Sequence, residues 1–297
     1  MSAPRVFDRS LLLRRRHRAR ALGAATFLID GVAADLGERL AAVLRRFAVA
    51  VDLGSPSGAV RHALSGLVDT LVAVGTAVDD VGDHAGLRVV ADEEALPFAD
   101  ASLDLVVSAL ALQSVNDLPG TLVQARRALK PDGYLLAALL GGDTLTELRQ
   151  SFAAAEADLE GGVSPRVAPF LDARDAGALL QRAGFALPVT DVDRVTVRYA
   201  SAFDLMSDLR RMAATNPLVE RRRTPLRRAT LMRMAETYAA RFADADGRIR
   251  ATFDIVWLAG WAPHPSQQQP LKPGSARMRL ADALGTREIS TGEKPER

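Results

Sequence analysis

Cysteine is absent from the 297-residue chain, and histidine occurs only four times. Without a thiol the chain can form no disulfide bond, iron–sulfur cluster or Cys-ligated zinc site. The histidines lie far apart and do not have the spacing of metal ligands; they are His17, His62, His84 and His264. These absences argue against thiol chemistry and against a His-rich metal site.

The chain also lacks a large charge of one sign and a long apolar run. Its 38 basic and 36 acidic residues give a net charge of +2, which argues against a general nucleic-acid binder. No apolar run reaches the roughly 18 residues of a membrane-spanning helix. The Arg-rich first twenty residues contain no apolar segment of a signal peptide. We therefore expect a bacterial cytoplasmic protein.

Lysine is scarce as well, because only three of the 38 basic residues are lysines. An excess of arginine is typical of sites that bind carboxylates or phosphates through guanidinium groups. It also arises from codon use in a GC-rich genome, and the composition does not separate the two explanations.

From residue 47 onward, short apolar runs alternate with amphipathic stretches. This alternation predicts an α/β fold with a parallel sheet, right-handed crossovers and helices on both faces. The predicted strands are 47–51, 70–74, 87–90, 103–108, 134–140, 188–199 and 251–261. The predicted helices are 59–67, 119–130, one that begins at Asp143 or Thr144, and 173–183. Residues 202–242 are helical in character.

We expect five segments along the chain. They are an N-terminal helical segment (1–46), an α/β core (47–199), a helical cover over the substrate (200–247), the last core strand (248–262) and an extended or disordered tail (263–297). Thr144 and Glu147 have the spacing of a capping box at the start of a helix.

Three of the predicted strand ends carry residues suited to ligand binding, and ligands of open α/β sheets bind at the carboxyl ends of strands. The turn 52–58 contains two glycines that allow close backbone approach. Acids follow the third strand in 92–98 and could accept hydrogen bonds from an adenine amino group. The fourth strand ends in 108–113. Each segment alone also fits an ordinary turn or a solvated loop.

Together these motifs resemble the class I S-adenosylmethionine-dependent methyltransferases. The resemblance rests on Asp52-Leu-Gly-Ser-Pro-Ser-Gly58, Asp92-Glu-Glu-Ala-Leu-Pro-Phe98, Asp104-Leu-Val-Val-Ser108 and Leu129-Lys-Pro-Asp-Gly133. The chain is similar to the biotin-pathway methyltransferases. It is more similar to the family of a mitochondrial complex I assembly factor that hydroxylates an arginine of a complex I subunit. Residues that carry this closer resemblance are 6–9, 115–119, 141–145, 147–149, 182–185, Trp257, Gly260, Trp261, His264, Ser266, Gln267, Gly274 and Ser275.

The resemblance implies a Rossmann-like seven-stranded methyltransferase sheet with a helical cover inserted before the last strand. It implies S-adenosylmethionine as cofactor and a complex I subunit or assembly intermediate as partner. The implied cofactor-binding residues are Asp52, Gly54, Ser55, Gly58, Asp92, Glu93 and Ser108. The implied substrate-side residues are Gln113, Asn116, Gly142, Asp143 and Tyr199.

Three positions depart from the usual pattern of these families. The middle glycine of the first motif is Pro56, which lacks an N–H and fixes φ. The acid that usually holds the ribose after the second strand is absent from 74–77, and Asp79 and Asp80 come later. Its loss would cost about 1.5–3 kcal/mol of cofactor binding. Gln113-Ser114 stands where these relatives often have His-Trp.

Several of these residues have a plainer structural interpretation. Asp52 could order its turn by accepting backbone hydrogen bonds. Asp143 could anchor a guanidinium or cap a helix, and Asn116 and Asp117 could reach the site or cap the next helix. Tyr199, Asp204 and Asp208 could lie on a surface face. The Arg222-Arg223 pair is typical of a solvated face, or of a surface that docks an acidic partner.

Three functions follow as hypotheses. The first is an enzyme that modifies an arginine in complex I assembly. The second is a non-catalytic assembly factor with a degenerate cofactor site, and the third is a carboxyl methyltransferase of the biotin-pathway type. Methyl transfer requires positioning rather than acid–base groups. Hydroxylation normally requires a metal or an organic redox cofactor, and the sequence contains no evident 2-His-1-carboxylate set.

Overall fold

A computed structural model of the protein describes residues 5–78, 86–268, 275, 278 and 280–287. The chain divides into two compact units, Met1–Pro263 and His264–Arg297. Asp79, Asp80 and Gly274, which entered the sequence analysis, lie outside the described residues.

The first unit contains eight of the described α-helices and all seven described strands. In chain order they are α1 (Arg9–Ala21), α2 (Phe27–Ala41), β1 (Phe47–Leu53), α3 (Ala59–Ala63), β2 (Val68–Gly75), β3 (Leu87–Val90), β4 (Leu103–Ala109), α4 (Leu118–Ala128), β5 (Leu129–Gly141), α5 (Thr146–Glu160), α6 (Ala173–Arg182), β6 (Ala186–Tyr199), α7 (Ala202–Arg211), α8 (Arg228–Phe242) and β7 (Ile249–Trp261).

The strands form one sheet in the order β3-β2-β1-β4-β5-β7-β6. The pairs among β1 to β5 are parallel, as predicted, whereas β7 runs antiparallel between β5 and β6. The carboxyl ends of β1, β2, β4 and β5 therefore meet at one edge, where Gly141 of β5 pairs with Asp254 of β7.

Both faces of the sheet are covered, and this explains the uninterrupted apolar run in β5. Leu136, Ala138 and Leu140 pack into the core that contains α2, α5, α7 and α8. Leu135 and Leu139 point the other way, into the core that contains α4 and α6. The seven-stranded α/β fold predicted from the sequence is confirmed.

The region 202–242, predicted to be helical in character, contains two separate helices. α7 ends at Arg211 and α8 begins only at Arg228. Ala213 has a φ of 55°, and Pro217 and Pro225 follow within the intervening segment. Proline cannot continue a helix because it lacks an N–H and clashes with the preceding turn. Both helices lie between β6 and β7 in the chain, at the place expected for the cover.

The predicted capping box at Thr144 and Glu147 is wrong. α5 begins at Thr146, after Leu145 in the left-handed conformation. The Thr144 hydroxyl donates to the carbonyl oxygen of Asp254 and accepts from its N–H. Glu147 accepts hydrogen bonds from the N–H and hydroxyl of Thr252. Both side chains therefore fasten the start of α5 to β7.

The second unit, predicted to be extended or disordered, contains a short helix, α9 (Leu280–Leu284). No helix among the described residues has the length and apolarity needed to span a membrane.

Candidate functional site at the carboxyl edge of the sheet

The turn after β1 is ordered by a buried carboxyl group. Asp52 accepts a hydrogen bond from the Ser55 hydroxyl, and the same hydroxyl accepts from the N–H of Ala109 at 2.9 Å. Burial raises the pKa of Asp52 to about 7, although the hydrogen bonds from Ser55 oppose the rise. The pair joins the ends of β1 and β4, so Asp52 has the ordering role that the sequence left open.

Position 54 requires glycine because the side chains of Glu93 and Ala111 approach its backbone closely. Its φ is 76°, and a Cβ atom at this position would lie 2.6 Å from Oε1 of Glu93 and 3.1 Å from Cβ of Ala111. Its N–H donates to the carbonyl of Val74. Gly58 precedes the five-residue helix α3 as its N-cap.

The acids after β3 bind arginines of the N-terminal helix α1. Glu93 is fully buried, and the Arg9 guanidinium donates to both Glu93 and Asp92, at 3.1 Å from Asp92. Nη1 of Arg16 lies 3.8 Å from Oε1 of Glu93. Asp92 stays about half exposed. α1 is therefore fastened across the edge of the sheet where β1 and β3 end.

Ser108 and Asn116 are engaged in structural hydrogen bonds. Ser108 is fully buried and donates to the carbonyl of Leu53 at 2.7 Å. Oδ1 of Asn116 accepts from the N–H groups of Val6 and Phe7, each at 2.8 Å. Asp117 caps α4 by accepting from the N–H of Gly120, so of the two the capping role belongs to Asp117.

A pair of carboxylates at the end of β5 holds a guanidinium group. Nη2 of Arg194 donates to Asp143 at 2.8 Å, and Nε and Nη2 donate to the two oxygens of Asp254 at 2.8 and 3.0 Å. Burial alone would raise the pKa of Asp254, but the hydrogen bonds from Arg194 and from the N–H of Asp143 hold it below its usual value. Gly142 has a φ of 37° and donates to the carbonyl of Leu171. Asp143 thus binds a guanidinium, that of its own chain, and does not cap α5.

A cavity of about 260 Å³ opens beside the β1 turn, between α1, α2, α5 and α7. Pro56, Ser57 and Leu110 line it at the strand ends, and Gln113 lines it with an amide that donates to Leu110. Most of the other walls are apolar. Five arginines also line the cavity, and no Asp or Glu lines it within the described part of the chain; the arginines are Arg16, Arg20, Arg166, Arg210 and Arg211.

Tyr199 does not join the residues around the cavity. It is buried in the sheet core, where burial and the nearby Asp208 carboxylate raise its pKa to about 12. Asp204 accepts from the hydroxyl of Ser201, and Asp208 pairs with Arg211. These acids are therefore engaged locally around α7.

S-adenosylmethionine fits part of this edge. The half-exposed carboxylate of Asp92 is suited to an adenine amino group, and the cavity beside Pro56 and Ser57 has room for the methionine end. At the end of β2 the ribose would meet Thr76 instead of an acid. The residues present therefore fit both ends of the cofactor and lack the charged anchor for its middle.

Five residues of this region were missed by the sequence analysis: Arg9, Arg16, Arg166, Arg194 and Asp254. Asp254 had a visible signal, because it is a lone acid in the apolar run 251–261. The Arg222-Arg223 pair is not simply a solvated face, since Arg222 forms ion pairs with Glu160 and with the fully buried Glu156, the latter at 3.5 Å. Within residues 5–78, 86–268 and 280–287, no three His, Asp or Glu side chains cluster as metal ligands would.

Comparison with known proteins gives the relationships of the chain. Residues 51–137 match a family model described as "Methyltransferase domain". The mitochondrial arginine-hydroxylase NDUFAF5 of Danio rerio is 37% identical over 93% of this chain and 89% of its own length. The malonyl-[acyl-carrier protein] O-methyltransferase of Gallionella capsiferriformans (strain ES-2) is 40% identical over 60% of this chain and 59% of its own length. The crystal structure of a protein assigned as a methyltransferase, from Bacillus halodurans C-125, aligns with a TM-score of 0.53 and 16% identity, over 77% of this chain and 99% of that one.

Proposed function

The chain belongs to the family of the arginine-hydroxylase NDUFAF5, and from this membership we propose that it is a methyltransferase-fold enzyme that binds S-adenosylmethionine and modifies an arginine side chain during respiratory complex I assembly. Its substrate would be a complex I subunit or an assembly intermediate. The enzyme would work in the bacterial cytoplasm and reach the inner membrane through that partner.

The observation that carries the proposal is the carboxylate pair Asp143 and Asp254. The pair lies at the carboxyl end of β5, on the edge where ligands of this fold bind. It holds the guanidinium of Arg194 through three hydrogen bonds, two of them forked on Asp254. A fork on one carboxylate is the strong and specific way to bind a guanidinium. This edge of the sheet therefore contains a carboxylate pair that can bind the guanidinium group of an arginine substrate.

The other residues of the edge would position the cofactor. S-adenosylmethionine, when bound, would supply an electrophilic methyl group. Asp92 would accept from its adenine amino group, and the turn of Gly54 and Ser55 would approach its ribose closely. Pro56 and Ser57 would border its methionine end beside the cavity. Because the ribose anchor is replaced by Thr76, we expect binding that is about tenfold to a hundredfold weaker than with the acid in place.

Isothermal titration with S-adenosylmethionine tests the cofactor. We expect measurable binding to the purified chain, and tighter binding to Thr76→Asp and Pro56→Gly. Thr224→Asp, a threonine in the segment between α7 and α8, serves as the matched control and should leave the affinity unchanged. An absence of binding by the chain and by both repaired variants at millimolar ligand contradicts the proposal.

A non-catalytic assembly factor is the second candidate, and the contacts of Arg9 favour it. The Arg9 guanidinium occupies the Asp92 carboxylate that an adenine would use, while Pro56 and Thr76 replace two further cofactor contacts. Complementation separates the candidates. In a deletion strain with defective complex I, Asp143→Asn should fail to restore assembly if the chain is an enzyme and should restore it if the chain only binds. Rescue of a biotin-requiring mutant would instead indicate a carboxyl methyltransferase of the biotin-pathway type.

A further inference from the structure

The cavity beside the β1 turn has walls of two kinds. Its apolar part is formed by buried side chains from α2, β5, α5 and β7, among them Leu28, Leu140, Phe152 and Phe253. Its polar part consists of five arginines and six uncharged polar residues, with no carboxylate among the lining residues that the structure describes. The volume, about 260 Å³, is just below the roughly 300–1,000 Å³ of typical ligand pockets. The cavity thus suits one small molecule.

Arg166 is held rigidly at the cavity wall. Its Nε donates to Oε1 of Glu156 at 2.7 Å, and its guanidinium carbon lies 5.6 Å from the centre of the Phe152 ring. Its buried Nη2 lies 2.5 Å from the same Oε1 of Glu156 and forms an ion pair there without the alignment of a hydrogen bond. A guanidinium fixed in this way loses little side-chain entropy when it binds a ligand.

The acids that balance these arginines lie outside the cavity lining. Glu156 is fully buried and also accepts from the N–H and hydroxyl of Ser164. Burial would raise the pKa of Glu156, but the hydrogen bonds from Ser164 and Arg166 keep it below its usual value, so it stays ionised. Glu93 likewise lies outside the cavity lining and forms an ion pair with Arg16, whose Nη1 is 3.8 Å from Oε1 of Glu93. Arg166 and Arg16 are thus paired with acids that lie outside the cavity lining.

We propose that this cavity binds an apolar carboxylate, an aliphatic acid whose chain lies against the apolar walls and whose head group pairs with Arg166 and Arg16. An apolar body follows from the walls, because burial of CH₂ groups against apolar side chains stabilises binding. An anionic head follows from the guanidinium donors. A guanidinium or ammonium ligand would find no carboxylate partner among the lining residues that the structure describes. The inference rests on the proposed function in one respect, because it names a ligand for the side of the site that would take the acceptor substrate. Asp143, which binds a guanidinium, does not line the cavity.

Three eight-carbon probes on the unaltered protein test the charge preference by isothermal titration. We expect octanoate to bind at least tenfold more tightly than octan-1-ol, and octylammonium to be the weakest of the three. Equal binding of octanoate and octan-1-ol, or preference for octylammonium, overturns the proposal. These titrations contain no S-adenosylmethionine, so their failure is distinct from a failure of cofactor binding.

Two variants locate the octanoate site. Arg166→Gln should weaken octanoate binding at least tenfold and leave octan-1-ol binding nearly unchanged. Arg233→Gln, which changes a half-exposed arginine of α8 that pairs with Asp158, is the matched control and should have no effect. If Arg166→Gln fails to fold, Ala168→Leu provides the second measurement, because it narrows the cavity and retains all five arginines. Unchanged octanoate binding by Ala168→Leu places the ligand elsewhere and overturns the proposal.

Discussion

The guanidinium of Arg9, in the first turn of α1, reaches the fully buried carboxylate of Glu93 after β3. The two residues are 84 positions apart in the chain, and the contact holds the Glu93 side chain directly against Gly54. It places a carboxylate of the protein itself against the turn that we propose for the cofactor.

Replacing Glu93 should destabilise the chain strongly. Glu93→Gln leaves Arg9 and Arg16, both largely buried, without their shared charge partner. Breaking a buried ion pair on one side costs about 3–5 kcal/mol, and we expect the lower end because Arg9 keeps Asp92. Urea denaturation measures the loss. Asp92→Asn, at the half-exposed neighbour, should cost less than about 1 kcal/mol, and equal losses in the two variants would contradict the buried contact.

Asn116 should control the order of the N-terminal segment. Asn116→Ala removes the acceptor for the N–H groups of Val6 and Phe7, and two lost hydrogen bonds cost about 1–3 kcal/mol. Hydrogen exchange should therefore speed up at residues 6–12 before it changes in the sheet. Gln150→Ala on α5 is the control, and similar exchange in both variants would argue against this anchoring.

The free energy of unfolding should depend on pH through the titration of Asp52. The pKa of Asp52 is about 7 in the folded protein, against an ordinary value of 3.8, so the folded state binds more protons between these values. The contribution of Asp52 is therefore complete below about pH 4 and is lost as the pH rises towards 7, by about 1.4 kcal/mol per unit at most.

Urea titrations between pH 4 and 7 measure this contribution as the difference between the chain and Asp52→Asn. The free energy of unfolding should fall less with rising pH in the variant. Ser55→Ala should extend the decline above pH 7, because the Ser55 hydrogen bond lowers the pKa of Asp52. Ser57→Ala, which removes a contact to the N–H of Ala59 only, should leave the slope as it is. Parallel curves for the chain and Asp52→Asn would show that Asp52 does not titrate here.

The site that Asp143 and Asp254 form for the guanidinium of Arg194 should respond to chemical rescue when Arg194 is removed. Arg194→Ala leaves the buried Asp254 without its forked partner, and we expect a loss of about 1–3 kcal/mol at pH 7. Because Arg194 lowers the pKa of Asp254, the loss should shrink as the pH falls and Asp254 is protonated in the variant. Methylguanidinium should raise the melting temperature of Arg194→Ala but not of Arg233→Ala. Equal responses would indicate a general salt effect and no guanidinium site.

The sheet could be predicted from the sequence because local signals determine it. β5 is a continuous apolar run that ends at Gly141-Gly142, and its burial on both faces explains the pattern. The helical character of 202–242 was predicted from its amphipathic pattern, whereas the break between α7 and α8 was not specified, although Pro217 and Pro225 are its signals in the sequence. The strand ends that form the site were also predictable, because acids and glycines cluster directly after apolar runs.

The partners of the site residues were not predictable. Thr144 and Glu147 have the spacing of a capping box, but they bond to β7, more than a hundred residues later in the chain. Arg9, Arg166 and Arg194 look like surface arginines in the sequence, and only the tertiary arrangement gives each a buried acid. A charge pattern read along one segment cannot reveal a pair whose members lie on different elements.

Residues 6–8 and the segment before α8 are joined by backbone hydrogen bonds. Asp8 donates to the carbonyl of Pro217, and Val219 donates to the carbonyl of Val6. On a ribosome, the beginning of this polypeptide must therefore wait until about residue 219 has emerged before its own pairing partners exist. Until then the cavity beside the β1 turn stays open on this side. A ligand present during synthesis could therefore be enclosed when the last third of the chain is made.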